Sequence, residues 1–145
     1  MGWHLLLLED EASVREAFAL RLRDQGYVVQ TAESGEEALG LLRSFEPEVL
    51  VVDLVMPNFS GLEVLARVKQ LSPALPVIVL TARGTVKDAV EAMRLGAFDF
   101  VAKSIDMDDL LHTLRRATEF LTLQRQVQLH SGQDASRYAL DRVIA

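Results

Sequence analysis

Val49-Leu50-Val51-Val52-Asp53-Leu54-Val55-Met56-Pro57 is the stretch whose reading decides the fold. An unbroken apolar run of strand length ends on an aspartate, and a proline soon stops it from continuing. Such a run reads as a strand buried on both faces, as in a parallel sheet flanked by helices. The carboxylate of Asp53 therefore stands where the chain leaves the core. In open α/β sheets that edge, at the carboxyl ends of the strands, is where ligands bind.

Working outward, Trp3-His4-Leu5-Leu6-Leu7-Leu8 is a second apolar run, and it stops at Glu9-Asp10-Glu11. Val14, Phe18, Leu20 and Leu22 follow as a helical stripe, with Gly26 at the helix C-terminus. Tyr27 to Thr31 is a β-rich run. Ser34-Gly35-Glu36-Glu37 has capping-box spacing and opens a helix with Ala38, Leu41 and Leu42 inward. Beyond Asp53, Asn58-Phe59-Ser60-Gly61 is turn chemistry. Ser60 with Glu63 forms another capping box, for a helix reaching about Leu71. Pro76 to Leu80 is a fourth buried run, ending on Thr81. Thr85 and Asp88 cap a helix that places Val86, Ala89, Val90 and Met93 on one face and closes at Gly96. Phe98 to Ala102 is the fifth strand, and Lys103 follows it. A last helix starts near Asp106, with Asp108 and Asp109 suiting its positive end. Five strands alternating with five helices through short loops call for a doubly wound α/β fold with a five-stranded parallel sheet, right-handed crossovers and helices on both faces.

With 145 residues, 50% of them hydrophobic and 25% charged, the chain fills one domain with little left for a second. The net charge of -6 argues against direct nucleic-acid contact. No cysteine is present, so disulfides and thiolate metal sites are excluded. No apolar run reaches the roughly 18 residues that span a bilayer, and no signal-peptide pattern opens the chain. The expectation is a cytoplasmic protein without membrane contact.

Four strand ends carry reactive groups: Glu9 and Asp10, Asp53, Thr81, and Lys103. Taken singly, each has a plain structural reading as a first-turn acid, a turn residue or a solvated lysine. As a set at successive strand ends of one sheet they converge, and the joint functional reading prevails. Three carboxylates together repel unless a cation intervenes. Hard oxygen donors of this kind suit Mg²⁺. A lysine and a threonine beside them can neutralise and hydrogen-bond phosphoryl oxygens, which is most of what phosphoryl transfer requires. Asp53 is then a carboxylate nucleophile.

These residues carry a resemblance. Leu8-Glu9-Asp10-Glu11, Val52-Asp53-Leu54-Val55-Met56-Pro57 with Gly61, Thr81-Ala82-Arg83-Gly84, and Gly96 through Lys103 together resemble the receiver (response-regulator) domain of two-component signalling, over about Trp3 to Leu121. The resemblance implies a flavodoxin-like strand order 2-1-3-4-5. It implies Asp53 as phosphoacceptor, Mg²⁺ held by Glu9, Asp10, Asp53 and the backbone carbonyl of Val55, and phosphoryl binding by Thr81 and Lys103. It also implies Thr81 and Phe100 as a switch pair. A sensor histidine kinase would be the donor, and helices 4 and 5 the face that changes to control a homodimer, an output domain or a partner protein. The protein would not be an enzyme beyond slow self-dephosphorylation. One position departs from the family: Ser104 stands where a proline usually follows the lysine. A non-proline cis bond costs about 2.5–4 kcal/mol, so either a trans Lys103–Ser104 bond with a shifted loop or a strained cis bond is expected. Apolar Val55, where an acid or amide would orient an attacking water, points to a long-lived phosphoryl group.

Other readings compete. A haloacid-type phosphatase needs a second aspartate two residues after the nucleophile, and position 55 is valine. A flavin-binding module would meet repulsion from the acidic edge and lacks a glycine-rich loop. A pseudo-receiver that is never phosphorylated and only mediates contacts is the remaining alternative. The last helix runs on through Leu110, Leu114, Ala117 and Leu121, and from Asp106 to His130 would measure about 37 Å. Residues 1–121 are thus expected to form the receiver, and 122–145 a helical linker or dimerisation extension that Ser131-Gly132 interrupts. That tail is expected to lead to an output domain outside this fragment.

Overall fold

The computed structural model describes residues 2–56, 59–82, 86–103 and 107–133. Five strands, β1 (His4–Leu8), β2 (Val28–Ala32), β3 (Val49–Asp53), β4 (Val77–Thr81) and β5 (Asp99–Ala102), form one parallel sheet in the order β2-β1-β3-β4-β5. Helices α1 (Ala12–Asp24), α2 (Gly35–Ser44), α3 (Gly61–Leu71), α4 (Val86–Arg94) and α5 (Asp108–Gln133) alternate with them. The doubly wound fold and the 2-1-3-4-5 order are those expected. A short antiparallel pair, Val55–Met56 with Phe59–Ser60, lies between β3 and α3.

Strand side chains alternate between faces with period two, and the three central strands are apolar at every step between their ends. Leu6, Leu8, Leu50, Val52, Val77 and Val79 join one core with residues of α2, α3 and α4. Leu5, Leu7, Val49, Val51, Ile78 and Leu80 join a second core with Phe18, Leu22, Leu110 and Leu114 of α1 and α5. Covering both faces in this way is what allows an all-parallel sheet to exclude water.

The helices follow their capping residues closely. Ser34 Oγ accepts from the Glu37 amide at 3.1 Å, and the Glu37 carboxylate in return accepts from the Glu33 amide at 2.8 Å. Ser60 Oγ accepts from the Leu62 amide at 3.1 Å rather than from Glu63, so that cap closes one residue earlier than the box spacing implied. Gly26 adopts φ +97° after α1, a left-handed position that a side chain would strain. Thr85 and Asp106, expected near helix starts, lie outside the described residues.

Two expectations are corrected. Leu20 does not belong to the buried stripe of α1: it is 62% exposed, while Ala19 and Leu22 are buried. Leu20 is two residues, or about 200°, round the helix from Phe18, so the two cannot share a face. Ser131-Gly132 does not stop α5, which continues to Gln133; one glycine costs a helix only about 1 kcal/mol. On α4, Val86, Val90 and Met93 do share a face, but it is exposed, and the core contact is made by Ala92.

Around and beyond Leu121, α5 leaves the apolar side chains of Phe120, Leu123 and Val127 exposed among polar neighbours. Arg125 nevertheless ties the helix to the far edge of the sheet. It bonds the Glu48 carboxylate and lies 4.8 Å from the Trp3 ring centroid. Glu48 also accepts from the His4 amide at 2.9 Å. Burial opposes ionisation of Glu48, yet the His4 amide and Arg125 outweigh it and hold the carboxyl below its usual value of 4.5. A depressed pKa means that the ionised form favours the fold, an advantage present above the unfolded value and lost as pH falls through the folded one. Urea midpoints of the parent and Glu48→Gln should therefore differ most near neutrality and converge below about pH 4.5. A gap independent of pH would show that Glu48 titrates alike in both states.

Candidate phosphoacceptor site

Strand register assembles the site. Leu8 pairs with both Ala32 and Val52, so Glu9 leaves β1 beside the residue that ends β3, Asp53. Asp53 in turn pairs with Leu80, and Thr81 with Ala102. The ladders continue past the strand ends: Glu9 N donates to Ala32 O at 3.1 Å, Leu54 N to Leu80 O at 2.7 Å, and Lys103 N to Thr81 O at 2.8 Å. These backbone bonds hold the four strand ends in one row, so the groups they carry are placed by the sheet rather than by flexible loops.

Glu9, Asp53 and Thr81 are buried, at 2%, 4% and 1% exposure, and Asp10 is half-buried. Carboxylate oxygens of Glu9, Asp10 and Asp53 lie within 4.8 Å of one another. The Lys103 ammonium bridges two of them, 2.9 Å from Asp53 Oδ2 and 2.5 Å from Glu9 Oε1. Burial disfavours that ammonium, but bonds and attraction from Glu9 and Asp53 prevail and raise its pKa above the ordinary lysine value. Asp10 is pushed the other way from its ionised form: partial burial, then the bond and negative charge of Glu9, raise its carboxyl above the usual value. A cluster with this surplus of negative charge and only oxygen donors suits a small hard divalent cation. The residues present fit Mg²⁺.

The β1–α1 turn that carries Glu9 and Asp10 is itself held. Glu9 Oε2 accepts from the Glu11 amide at 3.1 Å. Arg15, from the first turns of α1, donates Nη1 to the carbonyls of Glu9 at 2.9 Å and Asp10 at 3.2 Å. The sequence reading had no part for Arg15, since a helical arginine ordinarily reads as solvated. Its one signal is position, a single helical turn past an acidic strand end. The Val55 backbone pairs with Ser60 immediately beyond the acceptor strand. Phe100 is half-buried against the α2–α4 core. Ser104 lies outside the described residues, and with it the Lys103–Ser104 bond; Arg83 and Gly84 do so as well.

The response regulator receiver domain family matches residues 5–115. The chain belongs to that family. The receiver is 39% identical over 116 residues to the transcriptional regulatory protein GlrR of Escherichia coli, covering 80% of this chain and 26% of GlrR. It superposes on NtrX of Brucella abortus with a TM-score of 0.81 at 32% identity, over 88% of this chain and 30% of NtrX. It also superposes on the response regulator TrrA of Thermotoga maritima, solved with Mg²⁺ and beryllofluoride, with a TM-score of 0.73 at 30% identity, over 79% of this chain and 98% of TrrA. The chain thus spans about a quarter to a third of the length of GlrR and NtrX. Receivers are phosphoacceptors rather than enzymes in the usual sense, and no described helix is long and apolar enough to cross a membrane.

Gly61 belongs to the site by contact. A Cβ there would lie 2.4 Å from Asp53 O and 2.8 Å from Leu54 Cα, both backbone atoms that cannot swing aside. Gly61→Ala is expected to displace the end of β3 and to cost about 1–3 kcal/mol in urea denaturation. Parent-like stability would mean that the α3 start has room to retreat.

Proposed function

We propose that this receiver is a phosphorylation-driven switch in which Asp53 accepts a phosphoryl group from the phosphohistidine of a sensor histidine kinase. The single observation that carries the reading is the Lys103 ammonium set against both Asp53 and Glu9 at a buried acidic sheet edge. A carboxylate oxygen of Asp53 attacks phosphorus as the P–N bond breaks, and the bonding pair returns to the donor imidazole. The product is an acyl phosphate. Glu9, Asp10, Asp53 and the Val55 carbonyl would hold Mg²⁺, which supplies neutralisation of the phosphoryl oxygens. Lys103 balances charge on the same group, and the Thr81 hydroxyl donates to another of its oxygens. With Val55 apolar, no side chain at that place orients an attacking water, which favours a long-lived acyl phosphate.

The switch is a population shift, with the phosphorylated form favouring one of two arrangements of Thr81 and Phe100. Its readout is the face of α4 and α5. Exposed Val86, Val90 and Met93 on α4 supply a contiguous apolar strip of the kind that marks interaction surfaces. Exposed Phe120, Leu123 and Val127 follow i, i+3, i+7 spacing on α5, as a helix pairing with a second copy would. Residues 1–121 act as the receiver and 122–145 as the linker or dimerisation extension toward an output domain, within the cytoplasm.

Incubation with acetyl phosphate and Mg²⁺ should add one phosphoryl group by intact mass, and Asp53→Asn should add none. Beryllofluoride with Mg²⁺ should change the molar mass measured by light scattering. No adduct on the parent, or the same adduct on Asp53→Asn, would leave the pseudo-receiver reading in its place.

A further inference from the structure

We propose that Arg15 is a positioning residue for the cation: its guanidinium grips the Glu9–Asp10 turn and so sets where the two carboxylates stand. The proposal rests on the Mg²⁺ reading of the acidic cluster given above. Glu9 is anchored through its amide to Ala32 O and through its carboxylate to the Glu11 amide and the Lys103 ammonium. Asp10 comes one residue later, past the end of the sheet ladder, and is the more exposed of the pair. A turn residue of this kind keeps its direction only if its peptide planes are held.

Arg15 holds them. One Nη1 donates to two successive carbonyls, Glu9 O at 2.9 Å and Asp10 O at 3.2 Å. With two carbonyls fixed by one planar group, the Glu9–Asp10 and Asp10–Glu11 peptides cannot rotate independently. The other arm, Nη2, lies 3.7 Å from Glu33 Oε2 after β2, which steadies the fork from the far side. Arg15 is only 16% exposed, whereas Glu33 is 68% exposed. The strength of this hold comes from the carbonyl bonds, since a pair with so open a partner contributes little. Arg15 itself starts α1 properly, its amide donating to Glu11 O at 2.9 Å. The helix thus places the guanidinium, the guanidinium places the turn, and the turn places the acids.

A lysine at this position would keep the positive charge but lose the rigid fork, because an ammonium is a point donor on a flexible stem. Charge and geometry can therefore be separated. Groups that orient metal ligands typically change metal affinity about 10–100-fold when removed.

The test is Mg²⁺ titration of the receiver by calorimetry, comparing the parent with Arg15→Lys, Arg15→Ala, Glu33→Ala and Asp10→Asn, each with its thermal midpoint. The Mg²⁺ Kd is expected to rise about tenfold in Arg15→Ala and at least about threefold in Arg15→Lys. Glu33→Ala should stay within about twofold, in keeping with the small worth of an exposed pair. Thermal midpoints of Arg15→Lys and the parent should agree, which separates positioning from general stability. Without Mg²⁺, the Glu11 amide should exchange with deuterium faster in Arg15→Lys than in the parent, because its acceptor on Glu9 is less well held. An Arg15→Lys protein that binds Mg²⁺ as the parent does, with unchanged Glu11 exchange, would overturn the proposal while leaving the metal site intact. A parent that binds no Mg²⁺, or an Asp10→Asn protein that binds it equally well, would overturn the metal reading and this proposal with it.

Discussion

Burying two carboxylates side by side at the end of a parallel sheet is unfavourable unless a positive charge meets them, and the Lys103 ammonium does so. That requirement governs the rest of the molecule. The lysine is 50 residues from Asp53 in sequence and must arrive on a neighbouring part of the sheet at the right height. The order β2-β1-β3-β4-β5 brings the ends of β1, β3 and β5 to one edge of the sheet. The apolar strands contribute rigidity: a row of fully buried Leu, Val and Ile side chains on both faces leaves the polar strand ends little freedom to separate. Removing the lysine would leave buried negative charge without its partner, a far larger penalty than the attraction itself suggests.

The same edge is poised rather than satisfied. Lys103 engages Glu9 and Asp53, while Asp10 remains half-exposed with its carboxyl pushed up by burial and by Glu9. A site with three acids and one ammonium has negative charge to spare, which is the electrostatic condition for taking up a divalent ion. Packed elements link this edge to the proposed read-out face: Thr81 ends β4, Phe100 lies in β5, and α4 and α5 follow them in the chain. Apolar residues on α4 and on the far half of α5 remain exposed, while Arg125 fastens that half to Glu48 and Trp3. The long helix is therefore tethered at its middle as well as at its root.

Much of this was legible in the chain because strand runs and their terminators are local signals. Apolar runs that stop on Glu9, Asp53, Thr81 and Lys103 disclose both the sheet and its chemistry, since a polar group at such a stop has one edge to occupy. Ser34 disclosed the start of α2 for the same reason, a cap being a contact over three residues. Leu20 misled because hydrophobicity was counted without its angle round the helix. The exposed stripe on α4 could be drawn as a face but not assigned a direction, because alanine was enough to fill the core side. The Glu48–Arg125 pair was invisible for a different reason: it joins positions 77 residues apart, whose meeting depends on tertiary placement; Arg15 reaches only five and six residues back, but a helical arginine ordinarily reads as solvated. Ser131-Gly132 read as a stop because composition ranks residues without weighing a long helix's cooperativity.

The central claim is that Glu9, Asp10, Asp53 and Lys103 behave as one cation-binding unit. Mg²⁺ titration followed by NMR of the side-chain carboxyl carbons and the Lys103 Nζ tests it most directly. The account predicts that Glu9, Asp10 and Asp53 shift together with one dissociation constant, and that Lys103 Nζ moves with them. Separate constants for the three acids, or shifts confined to exposed acids such as Glu11, would contradict it.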